Sequence, residues 1–66
     1  MNIVVNGQKK VIQNSTTVQK LLQDLQIENK TMAVAINMQV IKQENWKNCI
    51  INDGDKIECL HFVGGG

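Results

Sequence analysis

A helix is predicted over Ser15-Thr16-Thr17-Val18-Gln19-Lys20-Leu21-Leu22-Gln23-Asp24-Leu25. Its apolar residues recur at spacings i, i+3, i+4 and i+7, which places on one helical face Val18, Leu21, Leu22 and Leu25. The polar residues between them fall largely on the opposite side. With Thr16 as the N-cap, Gln19 occupies the N3 position of a capping box. We therefore expect an amphipathic helix whose apolar face packs on a sheet.

A β-hairpin is predicted before this helix. Ile3 and Val5 alternate with their neighbours, as in a strand that has one buried face. Asn6-Gly7 follows at once, and this dipeptide tolerates the positive φ angles of a type I′ turn. The returning strand is expected over residues 9–13.

Three further strands are predicted after the helix: 32–36, 39–41 and 56–63. Asn37-Met38 forms the turn between the first two, and the small Ala33 and Ala35 are expected to let the helix pack closely. The polar segment 42–48 predicts a helical turn in which Trp46 covers one end of the core, since a buried aromatic ring contributes a large apolar area.

The segment Asn52-Asp53-Gly54-Asp55 is a dense turn signal before the last strand. Its two carboxylates could suggest a metal site. They lack the further oxygen ligands of a calcium loop, so we interpret them as part of a solvated turn.

Composition excludes several classes of protein. The chain has 66 residues, which predicts one small domain over 1–66, and an apolar fraction of 42%, which is typical of a globular protein. A net charge of +1 without arginine argues against a nucleic-acid partner. No apolar run reaches the ~18 residues of a membrane span, and the N-terminus lacks the features of a secretory signal. A cytoplasmic location is the resulting expectation.

Cys49 and Cys59 are too few for a disulfide framework or a four-ligand zinc site. We interpret them as small, partly buried hydrophobic residues, and a persulfide role for either one stays open. The sequence places no base or helix start nearby that would favour a thiolate. No metal site is predicted.

The chain ends in Leu60-His61-Phe62-Val63-Gly64-Gly65-Gly66, of which residues 62–66 form the expected tail. Glycine has no Cβ atom, so a glycine tail can enter a channel too narrow for other residues, and its chemistry is that of the backbone and of the Gly66 carboxylate. A frayed, inert terminus is the alternative.

Strand alternation divides the residues before this tail between two faces. If Ile57 and Cys59 face the helix, Leu60 and Phe62 point outward and form, with Val63, an apolar docking surface. His61 is interpreted as a residue at the end of the strand and not as a catalyst.

The predicted order, strand–strand–helix–strand–strand–strand, resembles the β-grasp fold of ubiquitin-like proteins, an α+β fold with a mixed sheet of about five strands on one main helix. The resemblance extends to the ThiS family of sulfur carriers in thiamin biosynthesis. It rests on Asn6-Gly7, residues 17–22, Val34-Ala35-Ile36-Asn37, Val40-Ile41, Trp46, residues 53–58 and Phe62-Val63-Gly64-Gly65-Gly66.

This resemblance implies that the chain is a protein cosubstrate and not an enzyme. A ThiF-type enzyme would use ATP and Mg²⁺ to adenylate Gly66, and a persulfide donor would then convert the adenylate to a thiocarboxylate. A ThiG-type thiazole synthase would accept the sulfur for the thiazole ring. Gly65 is the residue shared with the family beside Gly66, and both Gly64 and Gly65 would thread into the enzyme. The carrier itself would bind no cofactor.

Three alternatives remain at this point. Small subunits of molybdopterin synthase share the fold and the terminal Gly-Gly, but often carry a proline before the tail, and this chain has no proline. A ubiquitin-like modifier would join Gly66 to a lysine of another protein. A plain interaction module would leave the tail inert.

Overall fold

A computed structural model of the chain describes residues 1–61. Its strands form one five-stranded mixed sheet in the order β2-β1-β5-β3-β4, packed on a single helix, α1, in this part of the chain. In chain order the elements are β1 (Asn2–Val5), β2 (Gln8–Val11), α1 (Val18–Asp24), β3 (Thr31–Ile36), β4 (Gln39–Ile41), a 3₁₀ turn (Gln43–Asn45) and β5 (Lys56–His61). The predicted β-grasp fold is confirmed.

The hydrophobic core lies between α1 and one face of the sheet. Its buried side chains are Ile3, Val5, Val18, Leu21, Leu22, Val34, Ile36, Trp46, Ile51 and Ile57. The helical face predicted from the spacing is therefore the core face, although Leu25, which ends the helix as its C-cap, is only half-buried. Trp46 covers one end of the core as expected, and its indole N–H donates to the Ile41 carbonyl at 3.0 Å.

The predicted capping box is wrong by one residue. Thr17, not Thr16, is the N-cap of α1, and its hydroxyl accepts the Lys20 N–H at 3.1 Å. Thr16 is buried instead, and its hydroxyl donates to the Gln13 carbonyl. Adjacent threonines offer the same chemistry, so the local sequence does not distinguish which of the two has the extended backbone that a cap requires.

Two predicted strand boundaries also shift. The second strand spans Gln8–Val11 and not 9–13. Val11 pairs with Asn2, the first residue of β1, and beyond it only Ile12 continues the pairing, through its two hydrogen bonds with Met1. The third strand begins at Thr31, one residue earlier than predicted, where a register shift brings Thr31 opposite His61.

The alanines of β3 do not face the helix. Val34 and Ile36 are buried in the core, so by alternation Ala33 and Ala35 lie on the outer face of the sheet. The expectation that these alanines let the helix pack closely is therefore wrong. Their small side chains instead leave a shallow depression on the outer face of the sheet, the face away from α1.

The carboxylates of the turn before β5 are structural acceptors and not simply solvated groups. Asp55 is buried, and its carboxylate accepts the Asn52 N–H at 2.8 Å and the Asn37 side-chain amide at 3.0 Å. Asp53 accepts the Asn2 N–H at 2.6 Å. The interpretation as a solvated turn is therefore correct for the exposure of Asp53 and wrong for Asp55, which is buried.

Candidate functional site

The predicted tail follows β5, the central strand of the sheet, in sequence. β5 lies between β1, with which it pairs in parallel, and β3, with which it pairs in antiparallel fashion. The pairing with β1 ends at Ile57, whereas the pairing with β3 continues to His61, the last described residue before the tail. The tail itself, with the proposed docking residues Phe62 and Val63, the threading residues Gly64 and Gly65, and Gly66, lies outside the described residues.

The side chains of β5 alternate as predicted over the part of it that is described. Ile57 is buried and Cys59 and His61 are half-buried, whereas Glu58 and Leu60 are exposed. Leu60 exposes 60% of its surface, a large fraction for a leucine in a central strand. The position of Leu60 thus agrees with the outward facing on which its docking role was predicted.

Leu60 does not stand alone on the outer face. It pairs with Ala33, and Ala35 pairs with Val40 of the edge strand β4, which is 72% exposed. Paired residues and residues two apart in a strand share a face, so these side chains form an outer apolar strip: Leu60, Ala33, Ala35 and Val40. The exposed Glu58, which pairs with Ala35, borders this strip. The sequence prediction included only Leu60 of the four. For Ala33 and Ala35, the available signal in the sequence was their alternation with the larger Val34 and Ile36.

Two asparagines hold β5 from its two neighbours. Asn6 follows β1, and its side-chain Oδ1 accepts the Cys59 N–H at 2.8 Å. Asn37 follows β3, and its Oδ1 accepts the Lys56 N–H at 3.0 Å. Asn6 and Asn37 were predicted only as turn residues, because the sequence does not show which backbone donors their side chains reach.

The two thiols are free and are not predisposed to form thiolates. Burial raises the pKa of the Cys59 thiol, and burial together with the Asp55 carboxylate raises the pKa of Cys49. Neutral thiols are poor nucleophiles. These environments agree with the interpretation of both residues as packing groups.

His61 lies where β5 ends within the described chain. Its Nε2 atom is buried, and no residue of 1–61 supplies it with a hydrogen-bond partner. Across the same residues no cluster of three or more His, Cys, Asp and Glu side chains is arranged to hold a metal ion. The helix of this segment is also too short and polar to cross a membrane.

Sequence comparison decides between the candidate families. The profile of the ThiS family matches residues 2–66, almost the whole chain. The chain belongs to the ThiS family. It is therefore a small sulfur carrier protein of thiamine biosynthesis and not a catalyst, and this assignment favours the ThiS-like interpretation over the molybdopterin synthase subunit.

Two relatives of this ThiS-family chain are themselves named sulfur carrier protein ThiS. The protein of Escherichia coli strain K12 is 35% identical over 66 residues, which cover 100% of both chains. That of Bacillus subtilis strain 168 is 44% identical over 50 residues, which cover 76% of each chain.

A third relative is much longer. A thiazole synthase of Paramagnetospirillum magneticum is 35% identical over 66 residues, and the ThiS-family chain spans only 20% of its length. Among solved structures, the crystal structure of the thiamine biosynthesis protein ThiS from Geobacter metallireducens superposes with a TM-score of 0.83 at 33% identity, with 100% of both chains covered.

Proposed function

We propose that this carrier delivers sulfur as a thiocarboxylate formed at Gly66. The observation that carries the proposal is the end-to-end match with the Escherichia coli carrier, which covers 100% of both chains and includes the glycine tail. The fold supports it, since the tail follows in sequence the central strand of the sheet, which β3 pairs as far as His61. Glycine leaves only the backbone and the α-carboxylate available for chemistry.

A free carboxylate requires activation before sulfur can be attached. Its pKa lies near 3.3–3.7, so it is anionic at neutral pH and resists nucleophiles. A ThiF-type enzyme, using ATP and Mg²⁺, joins the carboxylate to AMP and releases pyrophosphate. The terminal sulfur of a persulfide then attacks the carbonyl carbon, the C–O bond to AMP breaks, and an acyl disulfide forms. Reduction of its S–S bond by a thiol leaves the thiocarboxylate.

A ThiG-type thiazole synthase is the proposed acceptor of this sulfur. The support is the thiazole synthase of Paramagnetospirillum magneticum, in which a stretch similar to the whole carrier makes up 20% of the chain. A polypeptide that contains both parts keeps the carrier and the synthase together at a high effective concentration. Because the activation consumes ATP, we place the reaction in the cytoplasm.

The outer apolar strip is the proposed docking surface for the activating enzyme. Leu60 is its residue closest in sequence to the tail, and we propose that Phe62 and Val63, which follow in sequence, also contact the enzyme. Leu60 and Val40 are exposed by 60% and 72%, and the alanines between them leave room for a partner's side chains. Apolar anchors of this kind carry much of the free energy of binding at protein interfaces. Docking next to the tail would deliver Gly66 to the nucleotide.

Intact-mass analysis of the protein isolated from its native cell tests the proposal. We expect a mass gain equal to the replacement of one oxygen by sulfur, located on Gly66 by fragmentation. The gain should be absent in cells that lack the activating enzyme. Conjugates of higher mass would instead support a protein modifier, and an unmodified Gly66 under thiamine starvation would contradict both.

A further inference from the structure

Two asparagines in the left-handed backbone conformation flank the central strand. Asn6 has φ 49° immediately after β1, and Asn37 has φ 50° immediately after β3. Asparagine is one of the few residues other than glycine that adopt this conformation readily. Both residues turn the chain away from the sheet while their side chains still reach β5.

Asn6 extends the hydrogen bonding between β1 and β5 by one residue. The β1–β5 pairing ends at Val5 and Ile57. Beyond it the Asn6 N–H donates to the Ile57 carbonyl at 2.9 Å, and the Asn6 Oδ1 accepts the Cys59 N–H at 2.8 Å. The side-chain oxygen thus takes the place of the carbonyl that a further residue of β1 would have offered.

Asn37 acts in the same way at the other end of β5. Its Oδ1 accepts the Lys56 N–H at 3.0 Å, and its N–H donates to the Lys56 carbonyl at 2.8 Å. Its amide nitrogen also donates to Asp55 at 3.0 Å. Asn37 therefore fixes where β5 begins, whereas Asn6 acts on the half of the strand nearest the tail.

We propose that Asn6 is a positioning residue for the carrier reaction. By holding the Cys59 N–H, it fixes the half of β5 that precedes the tail in sequence, and so helps to present the tail to the activating enzyme. This inference rests on the proposed activation of Gly66. It assigns to Asn6 an effect on how productively the docked tail is placed, and not on how tightly the outer apolar strip binds.

The expected kinetic signature follows from this division. A misplacement of about 1 Å can lower the rate of a reaction by about 100-fold. Loss of the Asn6 side chain should therefore lower kcat for adenylation, while KM for the carrier, which reports docking, stays nearly unchanged.

Asn6→Gly is the informative variant, because glycine accepts the positive φ and removes the side chain that holds the Cys59 N–H. Asn6→Asp keeps an acceptor oxygen at the same position and should restore the activity. Asn37→Gly is the control for the start of β5, where it removes the equivalent acceptor and, in addition, the amide donor to Asp55. Pyrophosphate release with a ThiF-type enzyme, ATP and Mg²⁺ provides kcat and KM, and amide hydrogen exchange reports the Cys59 N–H directly.

We expect Asn6→Gly to raise the exchange rate of the Cys59 amide about two- to tenfold, the range for one lost hydrogen bond. It should lower kcat about tenfold and change KM by less than about twofold. Asn37→Gly should leave kcat within about twofold of the parent, whatever its effect on the melting temperature.

Three results would overturn the role of Asn6: an unchanged kcat for Asn6→Gly, an equal loss for Asn37→Gly, or a parent Cys59 amide that exchanges like an unstructured peptide. The last measurement needs no variant, so it stands even if Asn6→Gly does not fold. A parent chain that gives no pyrophosphate release would overturn the proposed function itself. A normal parent with a normal Asn6→Gly would overturn only the positioning role.

Discussion

Leu60 of β5 lies directly opposite Ala33 of β3 in the antiparallel register. The small side chain of Ala33 does not cover its neighbour, and Leu60 is 60% exposed. Such an arrangement contributes little to the core. It leaves a leucine next to the tail available to a partner.

Leu60→Ala separates docking from stability. The free energy of unfolding should change by no more than about 0.5 kcal/mol, because the side chain lies outside the core. Loss of an interface anchor should lower kcat/KM for activation by a factor of roughly 5–30, the equivalent of about 1–2 kcal/mol. Addition of Phe62→Ala should deepen that loss. Thermal melting and pyrophosphate release measure the two effects.

Val40 and Val11 offer a matched pair for the same surface. Both are exposed valines of edge strands, at 72% and 78%, but only Val40 belongs to the outer apolar strip. Val40→Asp should weaken activation, and Val11→Asp should not. Equal effects of the two substitutions, or a strongly lowered melting temperature for Leu60→Ala, would show that the strip is not the docking surface.

Leu22→Ala tests the core. Leu22 is fully buried among the helix and sheet residues, so its truncation leaves a cavity and should lower the free energy of unfolding by roughly 2–5 kcal/mol. Urea unfolding followed by Trp46 fluorescence measures the loss, since that indole is itself buried. A value near zero would remove Leu22 from the core and with it the packing of α1 described above.

Thr17→Ala tests the revised N-cap. The substitution removes the acceptor of the Lys20 N–H and should lower the free energy of unfolding by about 0.5–2 kcal/mol. Thr17→Ser keeps the hydroxyl and is the control, with an expected loss well below that of alanine. If alanine and serine were equally tolerated, the hydroxyl of Thr17 would not be the cap.

Gly65→Val tests threading of the tail. A β-branched residue is too wide for a channel that admits glycine, so the variant should melt like the parent and fail to support pyrophosphate release. Gly64→Ala is a milder comparison, and it should retain more activity if Gly64 lies farther from the nucleotide. Normal release with Gly65→Val would argue against a narrow channel.

The thiols should be slow to react at neutral pH. Burial raises the pKa of Cys59, and burial with the Asp55 carboxylate raises the pKa of Cys49. A raised pKa leaves less thiolate at any pH below it, so alkylation by iodoacetamide should be slower in the folded chain than in denaturant. The rate should rise with pH past the ordinary value of 9.0. Faster alkylation of the folded chain at pH 7 would reopen a persulfide role.

The linear sequence predicted the order of strands and helix because its signals are local and strong, and the β-grasp fold followed from the resemblance of that order to ubiquitin-like proteins. The spacing from Val18 to Leu25 identifies one helical face, and Asn6-Gly7 with positive φ at both residues marks the first hairpin. Alternation in β5 placed Leu60 outward before any neighbour was known. Each of these features depends on residues only a few positions apart, so the chain order alone contains the information.

Long-range pairing decided what local pattern could not. Register and packing select Thr17 and not Thr16 as the N-cap of α1. They likewise select Val34 and Ile36, and not Ala33 and Ala35, for the face that packs on the helix. The hydrogen bond between the Cys59 N–H and Asn6 joins two residues that are 53 positions apart in the sequence. Only the placement of β5 beside β1 brings that backbone donor to the asparagine, so the tertiary structure alone shows how the base of the tail is held.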